Sequence, residues 1–162
     1  MEYRHTFILD ASYDHNTKIT GIGIVIHESK NPKKNKNGIL VDQIMESYSG
    51  ILDGRGEMLA VYRALEIAIE RGYKNVRTRS DFNYMRKSLK LDYENNTGSE
   101  RDDLHGAVLE ISKRFECVKF GYKPRRKNQM AHTLARRARV EVEPLKIDKL
   151  IELCEKYKPK ME

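Results

Sequence analysis

Three acidic residues, Asp10, Glu57 and Asp81, stand where the local pattern predicts a strand ending or a helix beginning. Asp10 closes the apolar run Phe7-Ile8-Leu9, Glu57 opens a helical stretch over residues 57–65, and Asp81 follows the short strand-like segment 75–80. Carboxylates scattered in sequence but placed at element ends can converge on one rim of a sheet, where hard cations take oxygen ligands. The chain has 162 residues, a formal net charge of +7 and a pI near 9.3, a balance that favours a polyanionic partner. Acids at one rim of a basic molecule suggest metal-dependent work on nucleic-acid phosphate. Each acid also has a plainer reading: Glu57 suits a helix N-terminus, where anions are stabilised, and Asp81 suits an N-cap. It is the three in this order that favour a metal site.

The elements that must position these acids follow from hydrophobic period and turn chemistry. Residues 4–10 read as a first strand and Gly21-Ile22-Gly23-Ile24-Val25-Ile26 as a second. The run Ser29 to Asn37, with Lys33-Lys34-Asn35-Lys36 at its tip, reads as a hairpin loop, and residues 39–48 as a third strand. The period then lengthens: Met58, Leu59, Val61, Tyr62, Leu65, Ile67, Ala68 and Ile69 fit a helix that Gly72 stops. A strand over 75–80, a short helix over 82–89, a polar loop over 92–99 and a helix over roughly 101–115 come next. A fifth strand over 117–122 ends at Pro124, and a helix spans 128–139. Residues 144–158 carry Leu145, Ile147, Leu150, Ile151 and Leu153 at helical spacing. The order βββαβααβαα predicts an α/β fold: a five-stranded mixed sheet, an antiparallel three-strand meander then parallel strands, flanked by helices.

The length suits one domain with a real core. Cys117 and Cys154 lack the spacing of a metal or redox motif and fit a reducing setting. No segment approaches the roughly 18 consecutive apolar residues of a membrane span. The start Met1-Glu2-Tyr3-Arg4-His5 lacks the apolar core of a signal peptide, so a cytoplasmic location is expected, with no membrane partner.

Four segments in order resemble ribonuclease H type 1, over about residues 5–139. They are Asp10-Ala11-Ser12-Tyr13 before Gly21-Ile22-Gly23, then Glu57-Met58-Leu59-Ala60 with Ala64-Leu65. Next comes Ser80-Asp81-Phe82-Asn83-Tyr84-Met85, and last Tyr122-Lys123-Pro124 leading into Asn128-Gln129-Met130-Ala131-His132-Thr133-Leu134-Ala135-Arg136. The last segment looks most like the short-loop branch of plant-type and reverse-transcriptase-associated domains. The resemblance implies a ribonuclease H-like domain over 1–140, with 141–162 as a C-terminal helical extension packed on it or partly frayed. It also implies an endonuclease that cuts the RNA strand of RNA–DNA hybrids with Mg2+ or Mn2+, leaving a 5′-phosphate and a 3′-hydroxyl. Two ions roughly 3.5–4 Å apart align water and stabilise the leaving oxygen in such sites. Asp10 would bridge both; Glu57 and Asp81 would hold the one nearest the leaving group.

Three departures bear on that expectation. Where the family usually has a fourth acid, this chain has His132, a poor magnesium ligand but a group able to shuttle protons. The asparagine pair that reads ribose 2′-hydroxyls aligns with Asp53 and Gly54, leaving backbone amides of Gly54, Arg55 and Gly56 for that task. The turn over 122–127 is short and offers Lys123, Arg125, Arg126 and Lys127 in place of a longer histidine-bearing loop. Asn83, Arg125, Lys127 and Asn128 complete the expected substrate contacts. Basic groups gather at Arg125-Arg126-Lys127 with Arg136, Arg137 and Arg139, and again at Arg77, Arg79, Arg86, Lys87 and Lys90 around Asp81. Two other classes compete with the enzyme: a non-catalytic module of this fold that binds nucleic acid or a protein partner, and a nuclease or resolvase acting on DNA.

Overall fold

The computed structural model describes residues 3–31, 38–51 and 54–146. The loop lysines 33, 34 and 36, Asp53, Cys154 and the tail beyond residue 146 lie outside them. Strands β1 (His5–Asp14), β2 (Ile19–Glu28) and β3 (Ile39–Ser49) form the antiparallel meander. Helix α1 (Gly56–Glu70) leads to β4 (Asn75–Ser80), which returns parallel to β1. Helices α2 (Asn83–Asn95) and α3 (Leu104–Ser112) lead to β5 (Cys117–Tyr122), parallel to β4. A 3-10 turn, Arg125–Lys127, then opens into α4 (Gln129–Glu141).

The sheet has six strands, in the order β5-β4-β1-β2-β3-β6, and not the five the sequence predicts. The sixth, β6 (Leu145–Lys146), pairs parallel with Tyr48 and Ser49. It stands where the C-terminal helix was expected to begin. Pro144 disfavours helical backbone at Glu143, which stops α4 from running on, and the open edge of β3 then takes up Leu145 and Lys146. Val142 is already extended, at φ −109° and ψ 132°.

Other boundaries also move. β1 runs on to Asp14 because Ala11–Asp14 are held by the ladder to β2, which pattern alone does not reveal. α2 continues through the stretch expected to be a loop and ends at Asn96, whose left-handed φ of 54° suits a helix C-terminus. Tyr93, inside that extension, meets Phe120 edge-to-face. α3 is shorter than expected, beginning where the Asp103 side chain accepts the Gly106 N–H at 3.0 Å.

The two sheet faces are packed differently. Phe7 and Leu9 of β1, with Ile22, Ile24 and Ile26 of β2, join Leu59, Tyr62, Leu65, Leu89, Val108 and Ile111 in the main core. The opposite face carries Ile8, Val25 and Met45 against Ala131 and Leu134 of α4. One polar network crosses from sheet to helix. Arg63 binds Glu46 through two nitrogens and the buried Glu66 through a third, while Tyr48 donates to Glu46. That buried ion-pair cluster fixes α1 against β3.

Candidate active site

Alternation along β1 puts Asp10 on the face of Ile8, the α4 face, where it is only 5% exposed. What brings a catalytic-type side chain to it is the closeness of α4. A Cβ on Gly23 would stand 2.2 Å from Ala131 O, and one on Gly21 2.1 Å from Ala135 O. Glycine on β2 and Ala131, Ala135 and Ala138 on α4 therefore let helix backbone lie directly on strand backbone. With the helix this close, His132 Nδ1 lies 2.7 Å from Asp10 Oδ2. An ionised carboxylate only accepts, so the ring nitrogen is the donor whenever Asp10 is charged.

Asp81 reaches the same rim by register. Ile8 pairs with Arg79 across the parallel β1–β4 ladder, so two residues on Asp81 stands beside Asp10. Burial raises the Asp10 carboxyl above its ordinary pKa; the His132 hydrogen bond opposes this, and the nearby Asp81 charge adds to it. Asp81 is not a cap: the N-cap of α2 is Phe82 and has no side-chain capping bond. Glu57 lies in the first turn of α1 and lines a small cavity with Ala11, Ser12, Tyr13, Thr20, Gly54 and Gly56. Gly56 permits this, since a Cβ there would stand 2.8 Å from Thr20 Cγ2 and 2.9 Å from Ala11 Cβ.

Asp10, Asp81 and His132 thus meet at one rim of the sheet, and Glu57 lies beside the next residues of β1, Ala11 to Tyr13. Among the described residues, however, no three histidine, cysteine, aspartate or glutamate side chains close on a common point as a formed metal cage. The donor set still fits a hard divalent cation. Three carboxylates supply oxygen ligands, and a buried carboxyl whose charge is opposed by burial and by a neighbouring acid is stabilised by a cation.

The expected substrate contacts divide. Gly54 and Arg55 are exposed beside Glu57, and Gly54 has the positive φ of 84° that favours glycine. Asn83 opens α2 and accepts from Arg86 Nη2 at 2.6 Å, which ties Arg86 to the helix start. Arg125 and Lys127 are exposed on the 3-10 turn. Asn128 is a correction: it is 1% exposed and donates through Nδ2 to Leu9 O at 2.9 Å. It joins the start of α4 to β1 just before Asp10, a positioning place and not a surface for substrate.

The second basic group also divides. Arg77 and Arg79 project from the α4 face of β4, where they line a cavity with Lys123 and Lys127. In the sequence Arg77 and Arg79 belong to one basic group and Lys127 to the other, with Lys123 standing in the short turn before it. Strand alternation from the buried Val76, Thr78 and Ser80 was the signal that Arg77 and Arg79 share a face.

A family model described as reverse transcriptase-like matches residues 9–138. A search of curated protein sequences finds no match. Among solved structures, the chain resembles ribonuclease H1 from the halophilic archaeon Halobacterium salinarum. Identity is 20% and the TM-score 0.65, over 83% of this chain and 96% of that one. The N-terminal ribonuclease H domain of a Mycobacterium tuberculosis protein, solved as a fusion with maltose binding protein, gives 15% identity and a TM-score of 0.64, over 85% and 94%. The LC11 ribonuclease H1, solved in complex with an RNA/DNA hybrid, gives 19% identity and a TM-score of 0.62, over 83% and 96%. At these identities the structural likeness shows the fold.

Proposed function

We propose, from the premise that this chain belongs to the reverse transcriptase-like family and has the ribonuclease H-like fold, that it is an endonuclease cutting the RNA strand of RNA–DNA hybrids. The observation that supports the reading is the buried Asp10, close to Asp81 and held by His132 at 2.7 Å, with Glu57 beside the next residues of the same strand. Asp10, Glu57 and Asp81 would hold Mg2+ or Mn2+, two ions by analogy with the family. Bound there, the metal supplies activation of water and neutralisation of charge on the leaving oxygen. His132 hydrogen-bonds the Asp10 carboxylate and fixes its orientation. Gly54 and Arg55 would present backbone amides to the substrate, while Arg125 and Lys127 would meet phosphate without reading sequence.

The test is cleavage of a labelled RNA–DNA hybrid in Mg2+ and separately in Mn2+, with an Asp81→Asn control and competition by duplex DNA and duplex RNA. RNA-strand cleavage lost in the control, and competed poorly by either duplex, is the expected result. A rise in melting temperature with Mn2+, absent in Asp10→Asn, would report the metal independently of turnover. The second reading, a non-catalytic nucleic-acid-binding module, is favoured by the Asp10–His132 hydrogen bond, which occupies one oxygen a metal would use. Bound hybrid left uncut in either metal would establish that reading, and cleavage of duplex DNA in preference to the hybrid would indicate a DNA nuclease.

A further inference from the structure

α4 lies over β1, β2 and β3, and at the β4 end the same sheet face is lined by side chains. They enclose a cavity of about 280 Å3 bounded by Thr6, Ile8, His27, Arg77, Arg79, Lys123 and Lys127. No carboxylate lines it among the described residues, while four of its residues are arginine or lysine. Arg77 and Arg79 are half-buried on β4, and Arg77 Nη2 donates to the buried Thr6 hydroxyl at 3.2 Å. Arg79 lies across Gly121, where a Cβ would stand 3.3 Å from its Cγ. Lys123 enters from the end of β5, anchored by its backbone N–H to Ser80 O at 2.9 Å. Among the described residues, the Arg79, Lys123 and Lys127 side chains form no ion pair.

Gathering like charges in a partly desolvated space is unfavourable unless an anion completes it. Burial lowers the Lys123 pKa, and the charges of Arg79, Lys127 and Arg77 lower it further. A cavity of this size suits a small oxyanion with its water better than a large cofactor. Guanidinium groups offer forked donors that match phosphate oxygens, and the threonine hydroxyl and lysine ammonium add donors of the same kind.

We propose that this cavity is a phosphate-binding site, separate from the carboxylate rim, built by Arg77, Arg79, Lys123 and Lys127. Its phosphate is either a backbone phosphodiester of a nucleic-acid strand that runs past Ser80 from the rim, or a free phosphate such as a mononucleotide's. The first source rests on the nuclease reading above; the site itself does not.

Two measurements on the full chain, made in EDTA so that cleavage plays no part, test it. In the first, inorganic phosphate and pyrophosphate are titrated while the backbone amides of Gly121 and Lys123 are followed by NMR. Saturable shifts are expected in the parent protein and not in Arg79→Gln/Lys123→Gln. In the second, hybrid affinity is measured across a salt series. With a backbone phosphodiester in the site, the slope of log K against log salt falls by about two in the double variant, roughly one per cation removed. Shifts with phosphate but an unchanged hybrid slope would support the site with a free phosphate as its ligand. The melting temperature of the double variant should hold or rise as repulsion is relieved. No amide shift together with an unchanged slope would overturn the proposal. A nuclease reading that failed in the cleavage assay would leave the phosphate titration intact, so the two failures are distinguishable.

Discussion

His132 stands where a fourth acid was expected, and the structure gives it a physical role. Its Nδ1 holds Asp10 Oδ2 at 2.7 Å, so the ring orients a carboxylate that is almost fully buried. Partners that orient a ligand in this way typically cost 10- to 100-fold in activity or metal affinity when removed, so His132→Ala should lose about that much hybrid cleavage. His132→Asp should instead shift the preferred metal toward Mg2+, since an oxygen ligand replaces an imidazole. Comparing rates in Mg2+ and Mn2+ for both variants checks this, and unchanged rates in His132→Ala would reduce the ring to a bystander. That Asp10, Asp81 and His132 would approach one another followed from the order of the elements, although Asp10 does not end its strand: β1 runs four residues past it. Asn128 was not legible in this way. A polar residue opening a helix reads as surface, and only the packing of α4 shows that it donates to Leu9 O inside the protein.

The elements that carry these residues depend on a close helix–sheet contact more than on helix propensity. Gly23→Ala would place a Cβ 2.2 Å from Ala131 O, a backbone atom that cannot rotate away. α4 must then lift, at a cost of about 3 kcal/mol, and carry His132 from Asp10. A lowered urea midpoint together with lost hybrid cleavage is expected, and a midpoint equal to the parent's would refute the contact. The far side of the molecule has a comparable tie. His105 Nε2 meets Asp92 Oδ2 at 2.7 Å, and Thr97 donates to the other oxygen. The His105 hydrogen bond, aided by that of Thr97, holds the Asp92 carboxyl below its ordinary pKa. The unfolded chain thus takes up this proton first as pH falls. The contribution is complete above the ordinary carboxyl value of about 3.9 and is lost as pH drops through the lower native one. Asp92→Asn should be less stable by roughly 1 kcal/mol at pH 6, and the gap to the parent should close in acid; urea midpoints from pH 6 to pH 2.5 measure this. Such ties also show why element type was legible and element length was not. The strand expected over 75–80 has those bounds in the structure, whereas α2 runs past its apolar repeat through Tyr93 to the left-handed Asn96. β6 exists only because β3 offers an edge, which no local pattern discloses.

For the whole molecule, the net charge of +7 favours a polyanion, but the fold decides which cations are available to it. Arg136, Arg137 and Arg139 form one cluster in the sequence and three different environments in the structure. Arg137 is paired with Glu141 at 2.7 Å, so much of its charge is already answered on the same helix. Arg139 lies against β1, donating to Tyr13 O at 3.4 Å with Asp14 at 4.0 Å. Arg136 is exposed and, among the described residues, forms no ion pair. Each phosphate neutralised by a free cation releases counterion and contributes about 0.9 to the slope of log K against log salt on duplex DNA. Arg136→Ala should therefore lower the hybrid-binding slope by nearly that amount. Arg137→Ala should lower it by less, because Glu141 then stands unanswered near the same surface. Arg139→Ala should register mainly as lost stability at the β1–α4 contact. Fluorescence anisotropy over a salt series, with melting curves beside it, separates the three. Equal slope changes for all three variants would mean that the helix meets its partner as a uniform field of charge, and that the pairing seen within the fold has no bearing on binding.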